Sequence, residues 1–495
     1  MKKSQNLVKS RAIRLLAGGL LFVLLLGCEQ SGIPAYKIPV TTKSETARKF
    51  YLEGRVLAFG LRAKEARDKF ARALEEDSTF ALAYLEMARN AASNDELYDN
   101  LEKAMALSGN VSEGERIWIE AVYDYAIEGR PLKTRGLYSK LVELYPRDEL
   151  SHHLLAVHYF LQQDYSECIA TSQKTLELAP DFPPAYNVVG YAYQYEGDYD
   201  KAEAAFKKYI ELIPSEPNPY DSYGDLLLKT GRFEEAIDKY EQALSISPLF
   251  AMSVVGIASA LDNLGRYAEA RERLTTALKR LKDNRIISQA VARSFVEQRR
   301  FDSALVVLTD IRDYDYTRGD TVAAANTAIL IGDVLLEAGN TRVAQQFYEE
   351  AIKSVQTSSV EESIKDNASV QYQYNLARIA IAADKLDSAE VLAEVHLESA
   401  KERVDPVIKA QAHFLEALVA LKRGQYDKAL EHFESTDKHN PYHQYFMSLA
   451  LSGAGQKAAA DELLREARNA NLKQSFPLAF VKARVKETEA SADSG

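Results

Sequence analysis

The sequence repeats itself with a period of about 34 residues, and this period limits the fold more than any other feature of the chain. Two consecutive segments, "PPAYNVVGYAYQYEGDYDKAEAAFKKYIELIP" and "PNPYDSYGDLLLKTGRFEEAIDKYEQALSISP", carry matching residues at one offset. The matched pairs are Gly190 and Gly224, Gly197 and Gly231, Tyr199 and Phe233, Ala202 and Ala236, and Pro214 and Pro248. Because a fixed period of this size is typical of repeat architectures, the chain is expected to stack similar units side by side.

The same register continues on both sides of these two segments. Eight units share it within residues 44–316. Across residues 317–400 the spacing grows, because the small anchor residues Ala304, Ala344, Ala389 and Ala429 stand 40, 45 and 40 positions apart, which predicts longer helices or longer loops. The regular pattern returns within residues 401–480, which include a closing cap, and residues 481–495 are expected to form a disordered tail.

Each unit carries the signals of two helices. In one unit the predicted first helix, residues 218–229, begins with an asparagine and a proline and ends before Gly231. The second helix carries Ala236 and Tyr240 on one face at helical spacing. The small Gly224 and Ala236 let the two helices approach closely, and Tyr240 covers their contact.

This combination of bulky, small, glycine, aromatic, alanine and proline positions resembles the tetratricopeptide repeat. The resemblance covers most of the chain after its leader. It implies an all-α fold, a right-handed superhelical solenoid of about twelve helix pairs. It also implies a concave groove, lined by the first helices, that binds protein or peptide partners.

The chain opens with a basic stretch, an apolar run and a cysteine. The run from Leu15 to Leu26 is shorter than the roughly 20 residues that span a bilayer, so residues 1–27 are predicted to be a signal peptide. The ending "LLGC" resembles the lipobox of bacterial lipoproteins, in which the leader is cut before the cysteine and the cysteine carries a diacylglyceryl group. This resemblance implies lipidation of Cys28. A membrane-spanning anchor that merely contains a cysteine is the alternative.

The predicted anchor determines where the protein is expected to reside. Residues 28–43 have two prolines, a glycine and no helical period, and they predict an extended tether. Removal of the leader takes away five positive charges and lowers the formal net charge from −11 to −16, which disfavours nucleic acid and anionic lipid as partners. By family analogy, Glu29 after the cysteine favours the outer membrane, facing the periplasm, over the inner membrane.

The sequence shows no motif in which catalytic or metal-binding side chains would come together. His152, His153 and His158 point in different directions on a helix that turns about 100° per residue. Another pair of histidines is separated by Pro441 at a helix start. We find no nucleotide, protease or hydrolase motif, so we predict no enzyme, no metal site and no cofactor.

The predicted groove is aromatic at one end and acidic in its middle. Its acidic residues, Asp221, Asp225 and Asp262, suit an extended partner segment with basic and apolar side chains. The candidate groove residues, taken from one face of successive first helices, are His153, Asn187, Tyr191, Gln194, Asp221, Asp225, Ser259, Asp262, Gln289 and Arg293.

Three classes of function fit these features. The first is a lipid-anchored scaffold of the cell envelope that binds protein partners through the groove. The second is an accessory lipoprotein of an outer-membrane assembly or transport machine. The third is an enzyme with a site that no motif reveals.

Overall fold

The computed structural model describes residue 34 and residues 36–403 and 406–493. These residues form 25 α-helices, and no strand occurs among them. The helices are α1 (Glu45–Phe59), α2 (Ala63–Glu76), α3 (Ala81–Arg89), α4 (Asn94–Leu107), α5 (Glu113–Tyr123), α6 (Pro131–Leu144), α7 (Glu149–Leu161), α8 (Tyr165–Leu178), α9 (Pro183–Tyr195), α10 (Tyr199–Leu212), α11 (Asn218–Lys229), α12 (Phe233–Ile246), α13 (Ala251–Asn263), α14 (Tyr267–Leu278), α15 (Arg285–Glu297), α16 (Phe301–Thr317), α17 (Thr321–Glu337), α18 (Thr341–Gln356), α19 (Glu362–Ala382), α20 (Leu386–Arg403), α21 (Pro406–Lys422), α22 (Tyr426–Phe433), α23 (Pro441–Gly453), α24 (Lys457–Arg468) and α25 (Phe476–Asp493).

Consecutive helices pack in pairs, from α1 and α2 to α23 and α24, and α25 follows as a single helix. The second helices of five successive pairs begin one repeat period apart, at Tyr165, Tyr199, Phe233, Tyr267 and Phe301. These pairs, stacked in chain order, confirm the predicted all-α solenoid.

The close contact inside a pair depends on small residues. A Cβ atom added to Gly224 would lie 2.6 Å from Cε1 of Tyr240, so the aromatic ring occupies the space that a side chain on α11 would need. Ala236 and Tyr240 of α12 are fully buried at this contact. Gly231 follows α11 with φ +78°, a backbone conformation that glycine adopts without strain.

Replacing Ala236 by leucine should overpack this contact and lower the free energy of unfolding by about 1 to 3 kcal/mol. Denaturant titration of the wild type and the variant measures the change. Asp238→Leu, which adds the same side chain at an exposed position of α12, should stay within about 0.5 kcal/mol of the wild type. Equal stability of Ala236→Leu and the wild type would contradict the packing of α11 against α12.

The irregular middle of the chain gains its extra residues mainly within helices. The helices from α16 to α21 have 16 to 21 residues. The second helices of the preceding pairs have 12 to 14. The polar stretch "SSVEESIKDN", residues 358–367, forms a short turn and then the start of α19 at Glu362.

The solenoid coils so tightly that distant units touch. The backbone N–H of Asn94 donates a hydrogen bond to Asp320, 226 positions further along the chain. Arg62, after α1, forms an ion pair with Glu216, just before α11. Because distant units meet, the concave side of the solenoid faces an interior space. The first helix of each pair lies on this side.

The described part of the predicted tether lies against the solenoid. Ile38 and Val40 are buried. The backbone N–H groups of Ile38 and Thr41 donate hydrogen bonds of 2.8 and 2.6 Å to the carboxylates of Asp148 and Glu115. The last residues of this segment are therefore docked on the first units of the solenoid.

The predicted signal peptide and Cys28 lie outside the described residues. Among the helices that the structure does describe, none combines the length and apolar character of a membrane span.

The sequence predicts a disordered tail over residues 481–495, and the structure differs from this prediction. Helix α25 continues to Asp493. The physical reason is that Lys482, Arg484 and Lys486 find acidic and polar partners on other helices of the solenoid. Val481 and Ala483, next to these residues, are buried.

Candidate protein-binding groove

All ten predicted groove residues lie on first helices that face the interior of the coil. They are His153 on α7, Asn187, Tyr191 and Gln194 on α9, Asp221 and Asp225 on α11, Ser259 and Asp262 on α13, and Gln289 and Arg293 on α15. None of these side chains is exposed. The middle of this surface is covered because residues 470–487 of the same chain run across it; we call these residues the C-terminal segment.

A buried lysine fixes the C-terminal segment to the acidic middle of the groove. The Nζ atom of Lys473 lies 2.8 Å from Oδ2 of Asp221 and 2.7 Å from Oδ1 of Asp225. The side chains of Lys473 and Asp221 are only 7% and 4% exposed. The ring of Tyr240 lies 5.3 Å from the ammonium group. Two carboxylates and an aromatic ring therefore surround one positive charge, and we call this cluster the lysine site.

Neighbouring hydroxyl groups orient the two carboxylates. Tyr191 and Tyr240 donate hydrogen bonds of 2.8 and 2.7 Å to Asp225. Ser253 donates one of 2.7 Å to Asp221. Because these donors lie on α9, α12 and α13, three successive helix pairs build the lysine site.

The ionisation of this cluster follows from its burial and its charges. Burial acts to lower the pKa of Lys473, but the attraction of Asp221 and Asp225 outweighs it and raises that pKa. Burial raises the pKa of Asp221 despite the attraction of Lys473, and repulsion from Asp225 adds to the increase. The lysine is therefore charged, and the site carries one more carboxylate than it has ammonium groups.

The backbone of the C-terminal segment is held as well. Ser259 donates a hydrogen bond of 2.9 Å to the carbonyl oxygen of Lys473, and Lys229 donates one of 3.1 Å to that of Ala470. Ser259 also accepts a bond of 3.4 Å from the buried Arg293. Contacts to backbone carbonyls do not depend on the side chain of the bound residue, so the selection of a lysine at position 473 comes from the lysine site.

The rest of the segment, helix α25, packs against α15 and α23. Lys482 lies 3.4 Å from Glu297, and Arg484 donates two hydrogen bonds of 2.7 and 3.0 Å to Glu337. The side chains of Leu478 and Phe480 are also buried. The segment thus combines basic and apolar side chains, with four basic residues and one acidic residue.

Asp262 and Glu297 form a second acidic patch next to α25. Ser294 donates a hydrogen bond of 3.1 Å to Asp262. Burial, together with repulsion from Glu297, raises the pKa of Asp262 to about 7. This patch faces the basic residues of α25 and extends the acidic surface beyond the lysine site.

His153 lies apart from the acidic surface, in an aromatic contact. Its ring packs edge-on against Phe59 and Phe182, with centroid distances of 6.4 and 5.3 Å. Burial, with the nearby Arg89 and Arg55, lowers the pKa of His153 to about 3. This position therefore holds a neutral buried ring.

The low pKa of His153 predicts a loss of stability in acid. Its folded-state pKa lies below the unfolded value of about 6.5, so its contribution is present above that pH and is lost as the pH falls. At pH 5 the loss should reach about 2 kcal/mol. His153→Phe should reduce the fall in unfolding free energy between pH 7.5 and pH 5 by that amount. The unfolding free energy is measured by denaturant titration at each pH. An equal fall in the two proteins would contradict this role of His153.

Comparison with known proteins identifies the repeats. A family model described as tetratricopeptide repeat matches residues 183–216, and further tetratricopeptide repeat models match residues 227–294 and 410–435. No curated protein matches the chain.

Many solved structures are similar to parts of this chain. A chain of the APC/C hetero-tetramer Cut9–Hcn1 is 16% identical, with 85% of this chain and 76% of that chain covered and a TM-score of 0.40. A tetratricopeptide repeat protein from Parabacteroides merdae is 13% identical, with 52% and 96% covered and a TM-score of 0.37. YrrB, titled a TPR protein with an unusual peptide-binding site, is 14% identical, with 44% and 94% covered and a TM-score of 0.27. The family models and the helix pairs together show that this chain contains tetratricopeptide repeats arranged as an all-α solenoid.

Proposed function

We propose that this protein is a lipid-anchored scaffold of the bacterial cell envelope that binds protein partners through its groove. The observation that carries the proposal is the lysine site, where Asp221 and Asp225 enclose a lysine of the C-terminal segment. Repeat solenoids present such concave surfaces for binding.

The groove has the groups that an extended polypeptide needs. The carboxylate pair accepts a lysine, Ser259 and Lys229 donate to backbone carbonyls, and the surface beneath α25 accepts apolar side chains. Acidic and apolar surfaces of this kind complement a segment with basic and apolar side chains. We therefore propose a partner that inserts a lysine between the two aspartates.

The C-terminal segment competes with such a partner. A segment tethered to its own binding site has an effective concentration on the order of millimolar. A partner must therefore bind tightly or act after the C-terminal segment has left. The same competition keeps the acidic site covered when no partner is present.

The predicted lipid anchor would keep this groove near a membrane. Eight residue steps separate Cys28 from Tyr36, where the described segment resumes after residue 35. A fully extended chain of that length reaches at most about 28 Å. Lipidation of Cys28 would therefore hold the solenoid close to the bilayer surface.

The anchor is tested by Cys28→Ser. This variant, expressed in a bacterium that processes lipoproteins, should appear in the soluble fraction, whereas the wild type should sediment with membranes. Metabolic labelling with a fatty acid should mark the wild type alone. Membrane association of both proteins would instead support a spanning anchor.

Partner binding is tested by crosslinking in the native envelope and mass spectrometry of the captured proteins. Lys473→Met weakens the internal competitor and should increase capture, whereas Asp221→Asn with Asp225→Asn removes the negative charges and should reduce it. Co-purification of an integral outer-membrane protein would favour the accessory role in a membrane machine. Equal capture by all three proteins would place binding outside the groove.

A further inference from the structure

Two histidines and a glutamate converge on the C-terminal part of the solenoid. His413 and Glu416 lie one turn apart on α21, and His432 lies on the adjacent helix α22. Nδ1 of His413 lies 3.4 Å from Nδ1 of His432 and 3.6 Å from Oε2 of Glu416. Nδ1 of His432 lies 2.9 Å from the same carboxylate oxygen.

The two longer distances, 3.4 and 3.6 Å, match the edges of a metal coordination shell, and the third, 2.9 Å, is shorter than such an edge. In a tetrahedral site with bonds of about 2.0 to 2.2 Å, two ligand atoms are about 3.3 to 3.6 Å apart. The three donor atoms therefore form a triangle close in size to one tetrahedral face. A metal ion placed about 2 Å from all three would complete the tetrahedron with a fourth ligand from outside the triangle.

The surroundings suit a cation that reaches the site from solvent. The side chains of His413, Glu416 and His432 are each about one-fifth exposed. A cavity of about 80 Å³ adjoins Glu416 and His432. Glu390 and Glu394 line it together with Arg423 and Lys428, and Arg423 is paired with Glu390 at 2.8 Å. The cavity gives a fourth ligand, water or a carboxylate, room to bind.

We infer that His413, Glu416 and His432 form a binding site for a divalent first-row transition metal, with Zn²⁺ as the best fit. Two imidazoles and one carboxylate are a set of ligands that zinc uses in proteins. Imidazole ligands disfavour Mg²⁺ and Ca²⁺, which prefer oxygen donors. A bound ion would join α21 to α22.

The predicted absence of a metal site rests on histidines that are close together in the sequence, such as His152, His153 and His158. His413 and His432 are 19 positions apart and come together only through the pairing of α21 with α22. The site is independent of the groove and of the anchor.

The test uses the full chain, made without a polyhistidine tag and freed of metal with a chelator. Isothermal titration with Zn²⁺ alone at neutral pH should show one site per chain. Glu416→Gln and His432→Gln should each weaken binding at least 100-fold, whereas His439→Gln, a histidine outside the cluster, should bind as the wild type does. Circular dichroism verifies that each variant is folded.

Two further measurements separate a metal site from a hydrogen-bonded cluster. Zn²⁺ should raise the melting temperature of the wild type and of His439→Gln, but not that of Glu416→Gln. Co²⁺ in place of Zn²⁺ should give the intense visible absorption of a tetrahedral complex. The inference is overturned if the wild type binds no Zn²⁺, or if Glu416→Gln and His432→Gln bind it as tightly as the wild type does.

Discussion

Replacing Lys473 by methionine is expected to lower the free energy of unfolding by about 3 to 5 kcal/mol. Methionine keeps most of the apolar length of the lysine side chain. It has no charge, however, so nothing compensates the carboxylates of Asp221 and Asp225. An uncompensated charge in a buried site is far more costly than the intact pair is stabilising. Denaturant titration, followed by circular dichroism, measures the loss. Because the segment packs as one unit, the same substitution should also loosen α25.

Two comparisons test the cause of this loss. Lys438→Met removes a lysine whose ion pair with Glu434 is exposed, and it should change the stability by less than about 1 kcal/mol. Combining Lys473→Met with Asp221→Asn and Asp225→Asn removes all three charges. This triple variant should recover part of the loss, because no buried charge then lacks a partner. A triple variant less stable than Lys473→Met would show that the loss does not arise from the unpaired aspartates.

Reversing the groove charges, by Asp221→Lys with Asp225→Lys, is expected to release the C-terminal segment. Three ammonium groups would then share one buried site, and repulsion would replace the attraction that holds Lys473. In the open state the C-terminal segment has left the groove. If the substitutions lower the free energy of opening by about 3 kcal/mol or more, the population of this state rises at least 100-fold. Trypsin, which cuts after lysine and arginine, should cleave the segment faster by that factor.

The control for this experiment reverses two charges elsewhere. Glu234→Lys with Asp238→Lys has the same spacing, on an exposed face of α12. It should leave the cleavage rate of the C-terminal segment unchanged. Hydrogen exchange of residues 470–487 provides a second readout, since it does not depend on new trypsin sites. Wild-type protection of this segment in the groove variant would contradict the role of the lysine site.

The repeat register made much of the fold predictable. Tyr199 and Phe233 stand one repeat period apart in the sequence, and α10 and α12 begin at these residues. Gly224 and Tyr240 were predicted to meet, and they do, because both lie on the faces that one helix pair must bury. Local patterns of this kind are sufficient wherever a residue packs within its own unit or against the next one.

The occupied groove could not be predicted in the same way. Lys473 and Asp221 are 252 positions apart, and neither helical periodicity nor the repeat register relates them. The acidic pair Asp221 and Asp225 indicated a basic ligand but not its source. One signal was present: the C-terminal segment carries four basic residues and one acidic residue in a chain with a net charge of −11.

The measurement that tests the groove most directly is binding of the C-terminal segment in trans. A chain ending at residue 468, verified as folded by its circular dichroism and cooperative melting, would be titrated with a synthetic peptide of residues 469–487. We expect saturable binding that weakens at least 100-fold when the peptide carries methionine in place of Lys473. Equal binding of the two peptides, or no binding by a folded truncated chain, would contradict a groove that selects a lysine-bearing polypeptide.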